Sequence, residues 1–82
     1  MKTITVELFG RLKDQLGFVQ RRYQTESATV ADLWQEIVSQ SAVNGKLEQH
    51  SIRPAVNDEF ARWDQPVSEG DRIAFLPPSA GG

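Results

Sequence analysis

The sequence contains no cysteine, which excludes a disulfide framework and any thiolate metal site. It has one histidine, His50, in a polar stretch. A single imidazole cannot build a metal centre or a triad by itself, so His50 is read as solvated surface. No basic block occurs: nine Lys and Arg are dispersed among eleven Asp and Glu, for a net charge of −2. That pattern argues against the footprint of a nucleic-acid-binding protein, and no binding to an anionic membrane surface is expected. No apolar run approaches the ~20 residues a bilayer span needs. Met1-Lys2-Thr3 leads straight into an alternating segment, so no leader is expected and the protein should be cytoplasmic. A Gly-rich phosphate loop and paired acid–base groups are also missing. The chain is expected to bind no metal or cofactor and to be no catalyst alone.

Eighty-two residues make one domain, near the lower limit at which a single core holds without staples. Ordering costs roughly 1.5 kcal/mol per residue, to be offset by apolar burial at about 25 cal/mol per Å². The large side chains Phe9, Phe18, Tyr23, Trp34, Phe60, Trp63 and Phe75 are therefore expected to lie mostly in the core.

Lys2 to Leu8 alternates, with Ile4, Val6 and Leu8 on one face, which predicts a half-buried strand. Phe9, Leu12 and Leu16 then follow a helical period, stopped at Gly17. Phe18 to Thr25 mixes apolar and charged residues in both registers and is read as an edge strand. Thr29 can cap a helix with Asp32 at its third position, and Val30, Leu33, Trp34, Ile37 and Val38 form one apolar stripe. Asn44-Gly45 supplies a turn after it.

Ile52 to Asn57 is read as a third strand with Ile52 and Val56 inward, although Pro54 should confine it to an edge or a bulge. Asn57-Asp58-Glu59 is turn-like and Phe60 to Trp63 predicts a short fourth strand. After a turn at Gly70, Arg72 to Leu76 forms the fifth, with Ile73 and Phe75 on one face and Ala74 and Leu76 on the other. The pattern is α+β.

The chain closes on Pro77-Pro78-Ser79-Ala80-Gly81-Gly82. The two prolines have fixed φ and no N–H, so they leave the sheet and hold the chain extended. Six residues at roughly 3.1–3.3 Å each carry the end about 20 Å from the domain. Gly81 and Gly82 lack a Cβ and can pass a constriction that rejects any side chain. The expected division is a domain over 1–76 and a projecting tail over 77–82. Such a tip presents an α-carboxylate, ionised at neutral pH and a poor electrophile until another enzyme activates it.

Phe75-Leu76-Pro77-Pro78-Ser79-Ala80-Gly81-Gly82 resembles the F-x-P-P-x-x-G-G ending of the MoaD family, the small subunit of molybdopterin synthase, and Ser68 to Ile73 resembles that family's turn into its last strand. The resemblance implies a ubiquitin-like β-grasp: a mixed sheet of about five strands on one main helix, with an extended C-terminal tail. It further implies a sulfur carrier in molybdenum cofactor biosynthesis. Gly82 would be adenylated by an E1-like, MoeB-like adenylyltransferase that uses ATP, then converted to a thiocarboxylate. The tail would deliver sulfur to a cyclic pterin precursor in a MoaE-like large subunit. Pro77, Pro78, Ser79, Ala80 and Gly81 would thread the tail, and Ala74 and Leu76 would dock the partners. Other readings are a carrier for a thiamine-type pathway, a covalent protein modifier, and a non-covalent interaction module.

Overall fold

The computed structural model describes residues 1–40 and 51–77. The expected turn at Asn44-Gly45, His50, and tail residues Pro78, Ser79, Ala80, Gly81 and Gly82 lie outside the described residues. The elements run β1 (Lys2–Leu8), α1 (Leu12–Leu16), β2 (Gln20–Thr25), α2 (Val30–Gln40), β3 (Arg53–Val56), β4 (Glu59–Phe60) and β5 (Arg72–Leu76). The strands form one sheet in the order β2-β1-β5-β3-β4. β1 and β5 are its central parallel pair and the other neighbours are antiparallel.

Alternation decides which side of the sheet each residue faces. Ile4, Val6 and Leu8 of β1, Val56 of β3, and Ile73 and Phe75 of β5 are all buried beneath α2. The helix returns Val30, Leu33, Trp34 and Ile37 at the predicted spacing. Trp34 packs on Phe75 at 4.8 Å between ring centroids, and Trp63 stacks on Phe75 at 6.0 Å. This aromatic cluster joins helix, last strand and the loop after β4.

The start of α2 is satisfied from two directions. Thr29 Oγ1 accepts the Asp32 N–H at 3.2 Å, as expected of a cap. The Val30 and Ala31 N–H groups donate to the carbonyls of Gln65 and Trp63. Glu36, one turn further along, accepts hydroxyl hydrogen bonds from Thr25 (2.6 Å) and Ser27 (2.8 Å), tying the end of β2 to the helix. At the far end of α2 the Tyr23 hydroxyl bonds the Gln40 side-chain oxygen. Partial burial raises the Tyr23 pKa, and the Glu36 charge pushes it the same way.

Four expectations are corrected. β2 starts at Gln20, although it does lie at an edge. β4 covers only Glu59–Phe60, because the chain leaves the ladder there. β3 is not an edge strand: it lies between β5 and β4 and accommodates Pro54 all the same. The Asn57 N–H donates to the Arg72 carbonyl at 2.7 Å, so by alternation Ala55 and Arg53 face β5, and Pro54 turns its backbone toward β4. There its carbonyl accepts the Ala61 N–H at 3.0 Å. The donor proline lacks is the one that would have extended the β4 ladder, which accounts for that strand's two-residue length. Finally, Phe9 and Phe60 are 45% and 67% exposed rather than core. Phe60 falls on the outward parity of β4, and Phe9, one residue past β1, continues the outward parity of that strand.

Candidate functional site

The sheet face opposite α2 carries an apolar band. On β5 the outward residues are Arg72, Ala74 and Leu76, and the register sets Ala55 of β3 beside Ala74. Phe60 of β4 stands beside Ala55. On the other flank β1 runs out into Phe9, whose N–H donates to the Phe75 carbonyl at 3.3 Å. A shallow concavity of about 220 Å³ opens here, with Ala55 and Ala74 between the larger Phe9, Phe60 and Leu76. The two alanines leave the sheet surface open, and the larger residues stand around it.

The hairpin joining β3 to β4 helps fix this face. Asn57 and Asp58 both take positive φ, 51° and 75°, as a two-residue hairpin loop of the primed kind demands. That tight turn places Phe60 opposite Ala55. The Asn57 side chain accepts the Arg72 N–H at 2.9 Å and donates to Asp71 at 3.1 Å, while Asp71 also accepts the Ser68 N–H at 2.8 Å. The tip is thereby tied to the start of β5.

Charge rims the band. The Arg72 guanidinium pairs with Asp58 and lies 3.9 Å from Glu7. The hydrogen bond from Arg72, and then its charge, hold the Asp58 carboxyl below its ordinary range, and the Asp58 contact raises Arg72 in turn. Arg53 lies over the Phe60 ring, 4.7 Å from its centroid. Among the described residues no three His, Asp or Glu side chains group closely enough to hold a metal ion, and no helix is long and apolar enough to cross a membrane.

Of the residues singled out from sequence, Ala74 and Leu76 share this band, both half-buried, and Pro77 follows directly from it. Phe9 and Phe60 belong to the same face, although hydrophobicity alone predicts them to be core. A signal for both was present: Thr5, Glu7 and Phe9 share one parity, and a two-residue loop at Asn57-Asp58 puts Phe60 opposite Ala55.

Comparison with known proteins places the chain. Residues 6–82 match the ThiS family. The molybdopterin synthase sulfur carrier subunit of Escherichia coli (strain K12) is 31% identical over 80 residues, which cover 96% of this chain and 99% of that protein. A Pyrococcus furiosus structure described as molybdopterin converting factor, subunit 1, superposes with a TM-score of 0.77 at 25% identity, covering 96% of this chain and 100% of its own. SAMP1 from Haloferax volcanii superposes at 0.76 with 26% identity, covering 98% and 99%. A helix-backed sheet with a central parallel pair, joined to these full-length similarities, makes this chain a member of the ThiS family: a MoaD/ThiS-like, ubiquitin-fold protein of the sulfur-carrier type.

Proposed function

We propose that this chain is the sulfur-carrying small subunit of a molybdopterin synthase and that Gly82 is its working end. The observation that carries the reading is the near-full-length identity with a subunit of that name in Escherichia coli. The apolar band supports it, because Leu76 ends the band and Pro77 begins the departing tail. Partners that grip the sheet face would therefore hold the base of the segment they act on.

The chemistry belongs to a backbone terminus. A carboxylate oxygen of Gly82 attacks the α-phosphorus of ATP held by a MoeB-like adenylyltransferase, and pyrophosphate leaves. A sulfur donor at the sulfide level then attacks the acyl carbon. The bond to AMP breaks, AMP departs with its oxygen, and a thiocarboxylate remains. In a MoaE-like large subunit the thiocarboxylate sulfur attacks an electrophilic carbon of the pterin precursor, whose carbon–oxygen bond breaks with loss of that oxygen. Water then adds to the Gly82 acyl carbon and the acyl carbon–sulfur bond breaks, leaving the sulfur on the pterin and Gly82 as a carboxylate. The phosphate chemistry belongs to the adenylyltransferase in this reading, since the sequence carries no Gly-rich phosphate loop. This chain's part is to dock, to reach and to be narrow, with Ser79, Ala80 and Gly81 offering small cross-section along the tail.

The test is intact-mass analysis of the chain after incubation with the adenylyltransferase, MgATP and a sulfide source. A species heavier by one oxygen-to-sulfur exchange is expected; the unmodified acid alone would overturn the reading. Removing Gly81-Gly82 should abolish that species. The likeness to SAMP1, whose full name is small archaeal modifier protein 1, favours a second reading as a covalent modifier. That reading predicts ATP-dependent conjugates of higher mass that disappear with Gly82.

A further inference from the structure

Pro77 is seated against the backbone of Gly10, in the turn between β1 and α1. Gly10 has φ +59°, and a methyl group built on it would come within 2.6 Å of Pro77 Cγ and 3.4 Å of Cδ, but 3.9 Å from Cβ. Gly17 and Gly70 also have positive φ, yet a methyl group on either would meet nothing within 4 Å. The conformation at Gly10 is one that asparagine or aspartate tolerates. The close approach is not, because a Cβ there requires the Pro77 ring to shift. Something other than turn geometry therefore calls for glycine here, and the ring pressed against it is the first residue of the tail.

We infer that Gly10 is a positioning residue that sets the direction in which the Pro77-Pro78 tail leaves the docking face, an inference that rests on the sulfur-carrier reading above. The Phe9 N–H to Phe75 carbonyl bond fixes the Gly10 turn to the end of β5, so the seat and the strand feeding the tail form one unit. Adding a Cβ forces the ring back by roughly 0.8 Å to reach an ordinary contact. Pro77 and the proline that follows it in sequence each have a fixed φ, so a displaced Pro77 ring changes the direction in which the chain sets out toward Gly82. Docking and delivery are thereby separable. The sheet face sets how tightly a partner binds, and the Gly10 seat sets where the terminus arrives.

The decisive experiment is a double-mutant cycle of Gly10→Ala and Pro77→Ala, each in the full-length chain. The adenylyltransferase from the same genome is assayed with MgATP, following carrier-dependent pyrophosphate release. Pro77→Ala removes Cγ and Cδ, the two atoms a methyl group on Gly10 would crowd, and keeps Cβ. Gly10→Ala is expected to lower kcat about tenfold with Pro77 present, given how steeply rates fall with misplacement of reacting groups, while the KM for the carrier stays unchanged. With alanine at position 77 the same substitution should change kcat less than about twofold. Strain from the positive φ acts equally in both backgrounds and cancels. An equal fall in both backgrounds, or a rise in KM at constant kcat, would overturn the proposal. Should the Gly10 variant not fold, the seat is read in the unaltered chain by NMR: an NOE between Gly10 Hα and Pro77 Hγ is expected, and its absence would refute the contact. No pyrophosphate release from the unaltered chain would instead overturn the sulfur-carrier reading, and this proposal with it.

Discussion

Phe60 offers the sharpest test of how this small sheet divides its two faces. Full burial of a phenylalanine side chain stabilises by about 1.5–3 kcal/mol. Phe60 is 67% exposed, so about one-third of that, roughly 0.5–1 kcal/mol, is already realised within the domain. The remaining two-thirds, about 1–2 kcal/mol, is available to a partner that covers the band, which corresponds to roughly five- to thirtyfold in Kd. Truncation also removes the platform beneath Arg53. Phe60→Ala is thus expected to lower stability by about 1 kcal/mol at most while weakening binding at least fivefold. Urea unfolding and calorimetric titration with the large subunit proposed above as the chain's partner measure the two quantities on the same preparation. An unchanged Kd would show that the partner docks elsewhere. A stability loss of about 3 kcal/mol or more would show that Phe60 is core after all.

The complementary change, Phe75→Ala, should cost about 3–5 kcal/mol, because it empties the centre of the Trp34-Trp63 cluster. A domain of this size has roughly 4–12 kcal/mol in total, so loss of a cooperative urea transition is an expected result. Thr29→Ala should cost about 0.5–1 kcal/mol, toward the low end for a cap, since the Gln65 and Trp63 carbonyls still satisfy two of the helix N–H groups; the urea midpoint reports it. The Asp58 pKa lies below its ordinary value of 3.8, so the unfolded chain takes up its proton more readily. The contribution of Asp58 is therefore present above that value and lost as the pH falls through the lowered one. Melting curves of the unaltered chain and Asp58→Asn should differ slightly at neutral pH, as befits an exposed pair, and converge in strong acid; a gap that widens on acidification would contradict the assignment.

Much of this molecule was legible as periodicity. β1, the capped helix and β5 each stand where alternation or a 3.6-residue repeat puts them, because each buries one face and leaves the other wet. β3 and β4 were harder. Pro54 reads as an edge residue, yet it is tolerated in an interior strand because its missing donor points toward the side on which the neighbouring ladder stops. Phe9 and Phe60 misled for a related reason. Hydrophobicity says that a side chain prefers to leave water, without saying whether the cover comes from its own chain or from another.

Local pattern and composition determined the helix, the principal strands, the absence of thiol and metal chemistry based on cysteine, and the narrow Gly-Gly ending, since each depends on neighbours in the chain or on residue types alone. Only the tertiary structure decided that β5 lies between β1 and β3, that Phe9, Phe60, Ala74 and Leu76 share one face, and that Pro77 rests on Gly10. Those are relations between segments more than forty residues apart in some cases. They arise from strand order and register, which no single stretch of sequence encodes.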